Sequence, residues 1–126
     1  MVNHRTLKKS FGHAFYGIYL ALRDNQNLRI HFVVALIVVF ASIYFSVTPF
    51  EMGILGIMIL LVICAEMINT AIEEMVDLIV SEHREQAKIA KDVSAGMVLL
   101  TVIGSVIVGV LIFLPHILKL LRSGGF

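Results

Sequence analysis

The chain has 126 residues, of which 59% are hydrophobic and 15% charged, and its mean hydropathy is +0.94. Because a soluble domain is about 45–50% apolar, this composition excludes an ordinary soluble protein and indicates an integral membrane protein with one domain, residues 1–126. A formal net charge of +1 gives no basis for a nucleic-acid partner, and the single cysteine, Cys64, excludes an intrachain disulfide.

The first predicted element is an amphipathic helix over residues 5–24. Its apolar side chains recur at helical spacing: Phe11, Phe15, Ile18 and Leu22. The segment is too polar to span a bilayer, so we expect it to lie on the membrane surface. A cap that packs on the helix bundle and faces water is the alternative for the same pattern. The turn-forming residues 24–27 are predicted to end this helix.

Three apolar segments follow, and each is predicted to be a transmembrane helix. They cover residues 28–46, 50–78 and 93–114, and the third has no charged residue over a length sufficient to cross the hydrocarbon. Pro49 suits the first turn of the second span, and Pro115 is predicted to stop the third. The predicted fold is therefore an all-α integral membrane protein with one surface helix and three transmembrane helices.

The distribution of basic residues predicts how the chain is oriented in the membrane. Eight of the ten Lys and Arg residues lie before or at the start of the first span, or between the second and third: Arg5, Lys8, Lys9, Arg23, Arg29, Arg84, Lys88 and Lys91. Cytoplasmic loops are enriched in Lys and Arg. We therefore expect the N-terminus and the loop between spans two and three to lie in the cytoplasm.

The second span contains a row of polar residues. On a helix with 100° per residue, Glu66, Asn69, Glu73 and Asp77 fall within an arc of about 80°. An acid at membrane depth costs roughly 2.5–3.5 kcal/mol on insertion scales, so a row that faces one way indicates a functional site. Contact between helices is the alternative interpretation, and for Asp77 so is a position beyond the membrane.

These polar residues suit one kind of chemistry. Carboxylates bind Mg²⁺, which also takes oxygen ligands from phosphates, and the nearby Lys91 supplies a point charge for phosphate. A carboxylate held partly in lipid is suited to accept a proton from a hydroxyl. The sequence therefore indicates phosphoryl transfer from a metal-bound nucleotide to a lipid alcohol. A Gly-rich phosphate loop and zinc-type Cys/His spacing do not occur in it.

Two motifs carry a resemblance to a known family. They are Glu66-x-x-Asn69-Thr70-Ala71-Ile72-Glu73-x-x-x-Asp77 and Ala87-Lys88-x-Ala90-Lys91-Asp92-x-x-Ala95-Gly96. From about Lys8 to Pro115 the chain resembles the prokaryotic diacylglycerol kinase and undecaprenol kinase family. The resemblance implies a homotrimer of three-span subunits in the inner (cytoplasmic) membrane of a bacterium. It also implies ATP as donor, Mg²⁺ as cofactor and active sites shared between neighbouring subunits.

The same resemblance implies roles for individual residues. Glu66 takes the place of the catalytic base, Asn69 lies beside it, and Glu73 matches a metal-binding glutamate. The predicted nucleotide contacts are Glu73, Asp77, Glu82, His83, Lys91 and Asp92. The resemblance implies undecaprenol or diacylglycerol as the acceptor, and the sequence does not distinguish them, because apolar residues that face lipid discriminate weakly. Residues 27–31 look more like the undecaprenol kinases.

One position departs from the family pattern. The family's second metal-binding glutamate corresponds here to Asn25, which is the predicted metal ligand beside Glu73. An amide oxygen is a weaker ligand for a hard cation than a carboxylate, and Asp24 is the alternative ligand. Two other functions stay open. One is a non-catalytic relative that binds nucleotide or lipid, and the other is a small ion- or proton-coupled transporter that uses Glu66.

Overall fold

A computed structural model describes residues 4–82 and 84–124, with side chains from Thr6 onward. It contains the helices α1 (His4–Asp24), α2 (Gln26–Tyr44), α3 (Pro49–Ile79) and α4 (Glu85–Arg122). Helices α2, α3 and α4 are long and apolar enough to cross a membrane. The prediction of an all-α protein with three such helices is therefore confirmed.

Helix α3 is the centre of the fold, because both α2 and α4 pack against it. Few side chains are fully covered, and the apolar ones among them are Leu28, Leu55, Val62, Ala65 and Ile112. Most other large apolar side chains face outward, which is the arrangement that a lipid environment requires. Between α2 and α4 a cleft of about 570 Å³ remains, with α3 as its floor. Its lining is almost wholly apolar, and His31 forms part of the end nearest the start of α2.

The break between α1 and α2 is shorter than the predicted turn over residues 24–27, because only Asn25 lies outside a helix. Asn25 has extended backbone angles, φ −113° and ψ 110°, and its side chain accepts a hydrogen bond from the backbone N–H of Leu28. Asparagine is among the best residues at this helix-capping position. The chain therefore changes direction at one residue, and Leu28, three positions later, is completely buried.

The prediction that Pro115 ends the last helix is wrong, since α4 continues through it to Arg122. Proline in a helix removes one hydrogen bond and crowds the preceding turn. The residues beyond it are held by a contact with α3. His116 Nε2 lies 3.2 Å from Glu51 Oε2, and Glu51 is itself fixed in a reciprocal capping arrangement with Thr48 at the start of α3.

Helix α4 is longer than the hydrocarbon core is thick, and the polarity of its first turns suits them to lie outside that core. Its 38 residues make a helix about 57 Å long, whereas the hydrocarbon core of a bilayer is about 30 Å thick. The segment from Glu85 to Lys91 is polar and follows the loop after α3. It lies beside the polar end of α3, because Lys91 Nζ contacts Asp77 Oδ1 at 2.5 Å.

Candidate active site

Glu66 is the buried acid of the structure, with 2% of its surface exposed. The side-chain amide of Asn25 donates a hydrogen bond to its Oε1 at 3.0 Å. Its other oxygen, Oε2, lies 3.8 Å from Nε2 of His31. A buried carboxylate is tolerated only when hydrogen bonds replace the water it has lost. Asn25 supplies such a hydrogen bond from the break between α1 and α2, and the imidazole of His31 lies close by on the first turns of α2.

The amide of Asn25 contacts a second group on α3. Its Nδ2 also donates to Oγ1 of Thr70 at 2.5 Å, while Thr70 donates to the backbone carbonyl of Glu66 at 2.9 Å. The oxygen of the same amide accepts from the N–H of Leu28 at 3.2 Å. Asn25 therefore joins the start of α2 to the turn of α3 that carries Glu66.

Asn69 lies one turn further along α3 and is 7% exposed. Its oxygen accepts a hydrogen bond from Ser94 Oγ of α4 at 2.7 Å, and its nitrogen donates to Glu73 Oε1 at 3.2 Å. Ser94 is also buried, with 4% of its surface exposed. These contacts fix the Asn69 amide so that its N–H groups face the carboxylate of Glu73.

Asp77 and Lys91 form an exposed ion pair, and Lys88 forms another with Asp92 at 2.6 Å within α4. Exposed ion pairs contribute little to stability because water screens them. A phosphate group is therefore able to replace the carboxylate partner of Lys91 at small cost. Both pairs lie next to a cleft of about 370 Å³ between the end of α3 and the start of α4.

The lining of this second cleft is mostly polar and charged. It includes Lys88, Lys91 and Arg84 together with Asp77 and Glu82. Three cationic side chains around one opening suit a polyphosphate, which carries several negative charges. His83, the other predicted residue of this loop, lies outside the residues that the structure describes.

Mg²⁺ fits the donor set around Glu73. This side chain is exposed, and its Oε1 accepts a hydrogen bond from Asn69. Over residues 4–82 and 84–124, no three His, Cys, Asp or Glu side chains are grouped as a metal site. Mg²⁺ does not require such a group, since it is commonly held by one or two carboxylates, substrate phosphates and waters. Glu73 is thus suited to hold a metal that arrives with a nucleotide.

Asn25 and Asp24 are the candidate metal ligands in addition to Glu73, and both have other partners in the structure. The Asn25 oxygen caps α2. Asp24 binds the Arg23 guanidinium through both oxygens, at 2.7 and 3.0 Å. The hydrogen bond from Arg23 lowers the pKa of the Asp24 carboxyl. Both metal roles stay predictions.

The structure brings the predicted residues together in two neighbouring groups. Glu66, Asn69 and Glu73 lie along one face of α3, and a hydrogen bond joins Asn69 to Glu73. Asp77, Lys91, Asp92 and Glu82 lie at the exposed end of the same helix pair. Sequence reasoning did not single out Ser94 or the contact of His31 with Glu66. The available signal for Ser94 was its spacing of three residues from Lys91, which places both near one face of α4.

Comparison with known proteins identifies relatives over most of the chain. The family model described as prokaryotic diacylglycerol kinase matches residues 12–113. A diacylglycerol kinase of Synechocystis sp. is 39% identical over 89% of this chain, which spans 65% of that relative's length. An undecaprenol kinase of Bacillus subtilis is 38% identical, with 86% of this chain and 89% of the relative covered. A diacylglycerol kinase of Escherichia coli is 30% identical, with 86% and 88% covered.

Proposed function

The chain belongs to the prokaryotic diacylglycerol kinase family, a family of membrane lipid kinases, and we propose that it transfers the γ-phosphoryl group of ATP to a membrane lipid alcohol. The acceptor is undecaprenol or diacylglycerol, the lipids named in its relatives. Mg²⁺ accompanies the nucleotide. The reaction takes place at the cytoplasmic interface of the membrane.

The observation that carries this proposal is the position of Glu66. Its carboxylate is buried at the level where α2 begins, and it lies 3.8 Å from His31, which lines the apolar cleft. An apolar lipid chain in that cleft would bring a hydroxyl group toward the carboxylate from the membrane side. A general base must come within hydrogen-bond reach of the proton it removes. Glu66 is suited to this role because it contacts His31, a residue that lines the apolar cleft.

The charged cleft at the end of α3 supports the nucleotide side of the reaction. Lys91 is 38% exposed and lies beside Asp77 at the mouth of that cleft. Its ammonium group is suited to neutralise charge on the phosphates as the transition state forms. Glu73, between Glu66 and Asp77 in the polar row, would hold Mg²⁺, which supplies further charge neutralisation when bound with the nucleotide.

The chemical step follows from this order of groups. The lipid hydroxyl oxygen attacks the γ-phosphorus, the bond between that phosphorus and the bridging oxygen breaks, and ADP leaves with the electron pair. The hydroxyl proton passes to Glu66. Asn69 keeps the carboxylate of Glu73 oriented through the 3.2 Å hydrogen bond, and Ser94 holds Asn69 in turn.

The assembly and location form part of the proposal. The family resemblance supports a homotrimer with shared sites in the bacterial inner membrane, and the basic residues support a cytoplasmic N-terminus. Helix α1 exposes apolar side chains such as Phe11 and Phe15, at 60% and 70%. Such exposure supports contact of α1 with the membrane surface, since an apolar face in water is unfavourable.

The direct test is incubation of the purified protein with labelled ATP, Mg²⁺ and separate lipid alcohols. We expect label on undecaprenol or diacylglycerol, in an amount that depends on both substrates. Nucleotide binding without any transfer would instead favour a non-catalytic relative. Ion flux that depends on Glu66, with no labelled lipid, would favour a transporter.

The metal role of Glu73 has its own test. Glu73→Ala removes the accessible carboxylate, so we expect the Mg²⁺ concentration for half-maximal activity to rise by about 10- to 100-fold. Binding of Mn²⁺ with nucleotide, followed by paramagnetic relaxation, should weaken to a similar extent. Glu74→Ala is the matched control, because Glu74 is the adjacent exposed acid and lies off the polar row. Equal Mg²⁺ curves for the two variants would remove Glu73 from the metal site.

A further inference from the structure

The carboxylate of Glu66 is held by a residue that is not itself placed to touch substrate. Resting on the function proposed above, we propose that Asn25 is a positioning residue for the catalytic base. Its amide N–H groups fix the Glu66 carboxylate, and the opposite carboxylate oxygen is left for the lipid hydroxyl. This role differs from the metal-ligand role that the position has by family resemblance.

The orientation of the Asn25 amide is determined by the start of α2. The backbone N–H of Leu28 needs an acceptor, and the Asn25 oxygen lies 3.2 Å from it. An amide has one oxygen and one nitrogen, so its NH₂ group must point the opposite way. That direction leads to Glu66 Oε1 at 3.0 Å and to Thr70 Oγ1 at 2.5 Å. Both hydrogens of the NH₂ group therefore have acceptors on α3.

This orientation disfavours a cation at the same place. The side of Asn25 that faces the acidic row presents two N–H donors, which carry partial positive charge. Donors of this kind stabilise a carboxylate and repel Mg²⁺. To bind the metal, the amide would have to turn over, and α2 would then lose the cap on Leu28. Loss of a capping side chain typically destabilises a helix.

The hydrogen bond from Asn25 determines which oxygen of Glu66 is left to accept a proton. With Oε1 bound to Asn25, the lone pairs of Oε2 face the side of His31, 3.8 Å away, and His31 lines the apolar cleft. The proton-accepting oxygen thus faces the side from which a lipid hydroxyl would come. A displacement of about 1 Å in such a group is able to reduce a rate by about 10²-fold.

Asn25→Asp separates positioning from metal binding, because aspartate keeps the side-chain shape and the capping oxygen but replaces the NH₂ group with oxygen. Positioning predicts that kcat falls by about 10- to 100-fold while the Mg²⁺ concentration for half-maximal activity stays the same. Metal binding predicts the reverse, a lower Mg²⁺ requirement with kcat equal to or above wild type. Asn27→Asp is the matched control, since it adds the same charge at an exposed site two residues away.

A second variant covers the case in which the added charge prevents folding. Asn25→Ser keeps a good capping oxygen but is too short to reach Glu66. We expect a comparable loss of kcat with the KM for ATP unchanged, whereas a purely structural defect would alter both or reduce the active fraction. Full kcat in Asn25→Ser, or a lowered Mg²⁺ requirement in Asn25→Asp, overturns the positioning role. An inactive wild-type protein would instead overturn the proposed function itself, and the two failures are thus distinguishable.

Discussion

Replacing Glu66 with glutamine is expected to reduce kcat by about 10²–10⁴-fold, the usual contribution of a general base. Glutamine has nearly the same shape, and its oxygen can still accept the hydrogen bond from Asn25 at the position of Oε1. What it lacks is a carboxylate that can take a proton. The KM for ATP should change little, because Lys91 and the charged cleft lie further along α3.

Glu74→Gln is the control for this substitution. Glu74 is an exposed glutamate on the same helix, about 80° from Glu66 around the axis. The Glu74→Gln variant should retain the kcat of the wild-type protein. Turnover of lipid alcohol by Glu66→Gln at the wild-type rate would show that another group accepts the proton. The site would then have to be reassigned.

Replacing Lys91 with methionine should lower kcat/KM for ATP by about 10- to 100-fold, as expected when a charged contact to phosphate is lost. Methionine has a similar length and keeps the apolar stem, so only the ammonium group is removed. Asp77, the partner of Lys91 in the wild-type protein, has a side chain that is 65% exposed, so water hydrates it when the ion pair is lost. The fold should therefore survive, and circular dichroism of the purified variant in detergent checks that it does.

Lys119→Met provides the comparison for the loss of a positive charge from α4. Lys119 lies in the last turn of that helix, at the end away from the charged cleft. Steady-state kinetics with varied ATP should leave this variant at the wild-type value. If Lys91→Met has the same kcat/KM as Lys119→Met, the ammonium group of Lys91 does not touch the phosphates.

The polar row on α3 could be predicted because it depends only on helix geometry. Positions 66, 69, 73 and 77 share a face of any regular helix, and the structure joins two of them directly through the hydrogen bond from Asn69 to Glu73. The three long helices could also be predicted, because each apolar segment of the sequence is long enough to cross a bilayer as a helix. Local periodicity and hydropathy thus account for most of the fold.

The details at Asn25 and Ser94 depend on contacts between helices. The sequence shows that Asn25 is near a turn, but the partners of its amide NH₂ group, Glu66 and Thr70, depend on how α3 packs against the start of α2. Ser94 is one of several small polar residues in an apolar helix, and only packing against Asn69 distinguishes it. Periodicity within one helix contains no information on such partners.

At Pro115 the prediction from the local sequence is wrong, because a contact between helices decides the outcome. As a local signal, a proline after an apolar span predicts an end to the helix. In the structure, the contact between His116 and Glu51 at 3.2 Å holds the following turn against α3. A tertiary contact here overrides a local preference. It also involves two residues 65 positions apart in the chain.

The central claim is that the phosphoryl group passes directly from nucleotide to lipid at the polar row of α3. A single-turnover experiment tests it, with the protein in excess over labelled ATP and either undecaprenol or diacylglycerol added to the mixed micelles. We predict that label appears on the lipid at the rate at which ATP disappears, with negligible free phosphate, and that Glu66→Gln slows both together. Label released as inorganic phosphate, at a rate independent of lipid alcohol and of Glu66, would contradict the account.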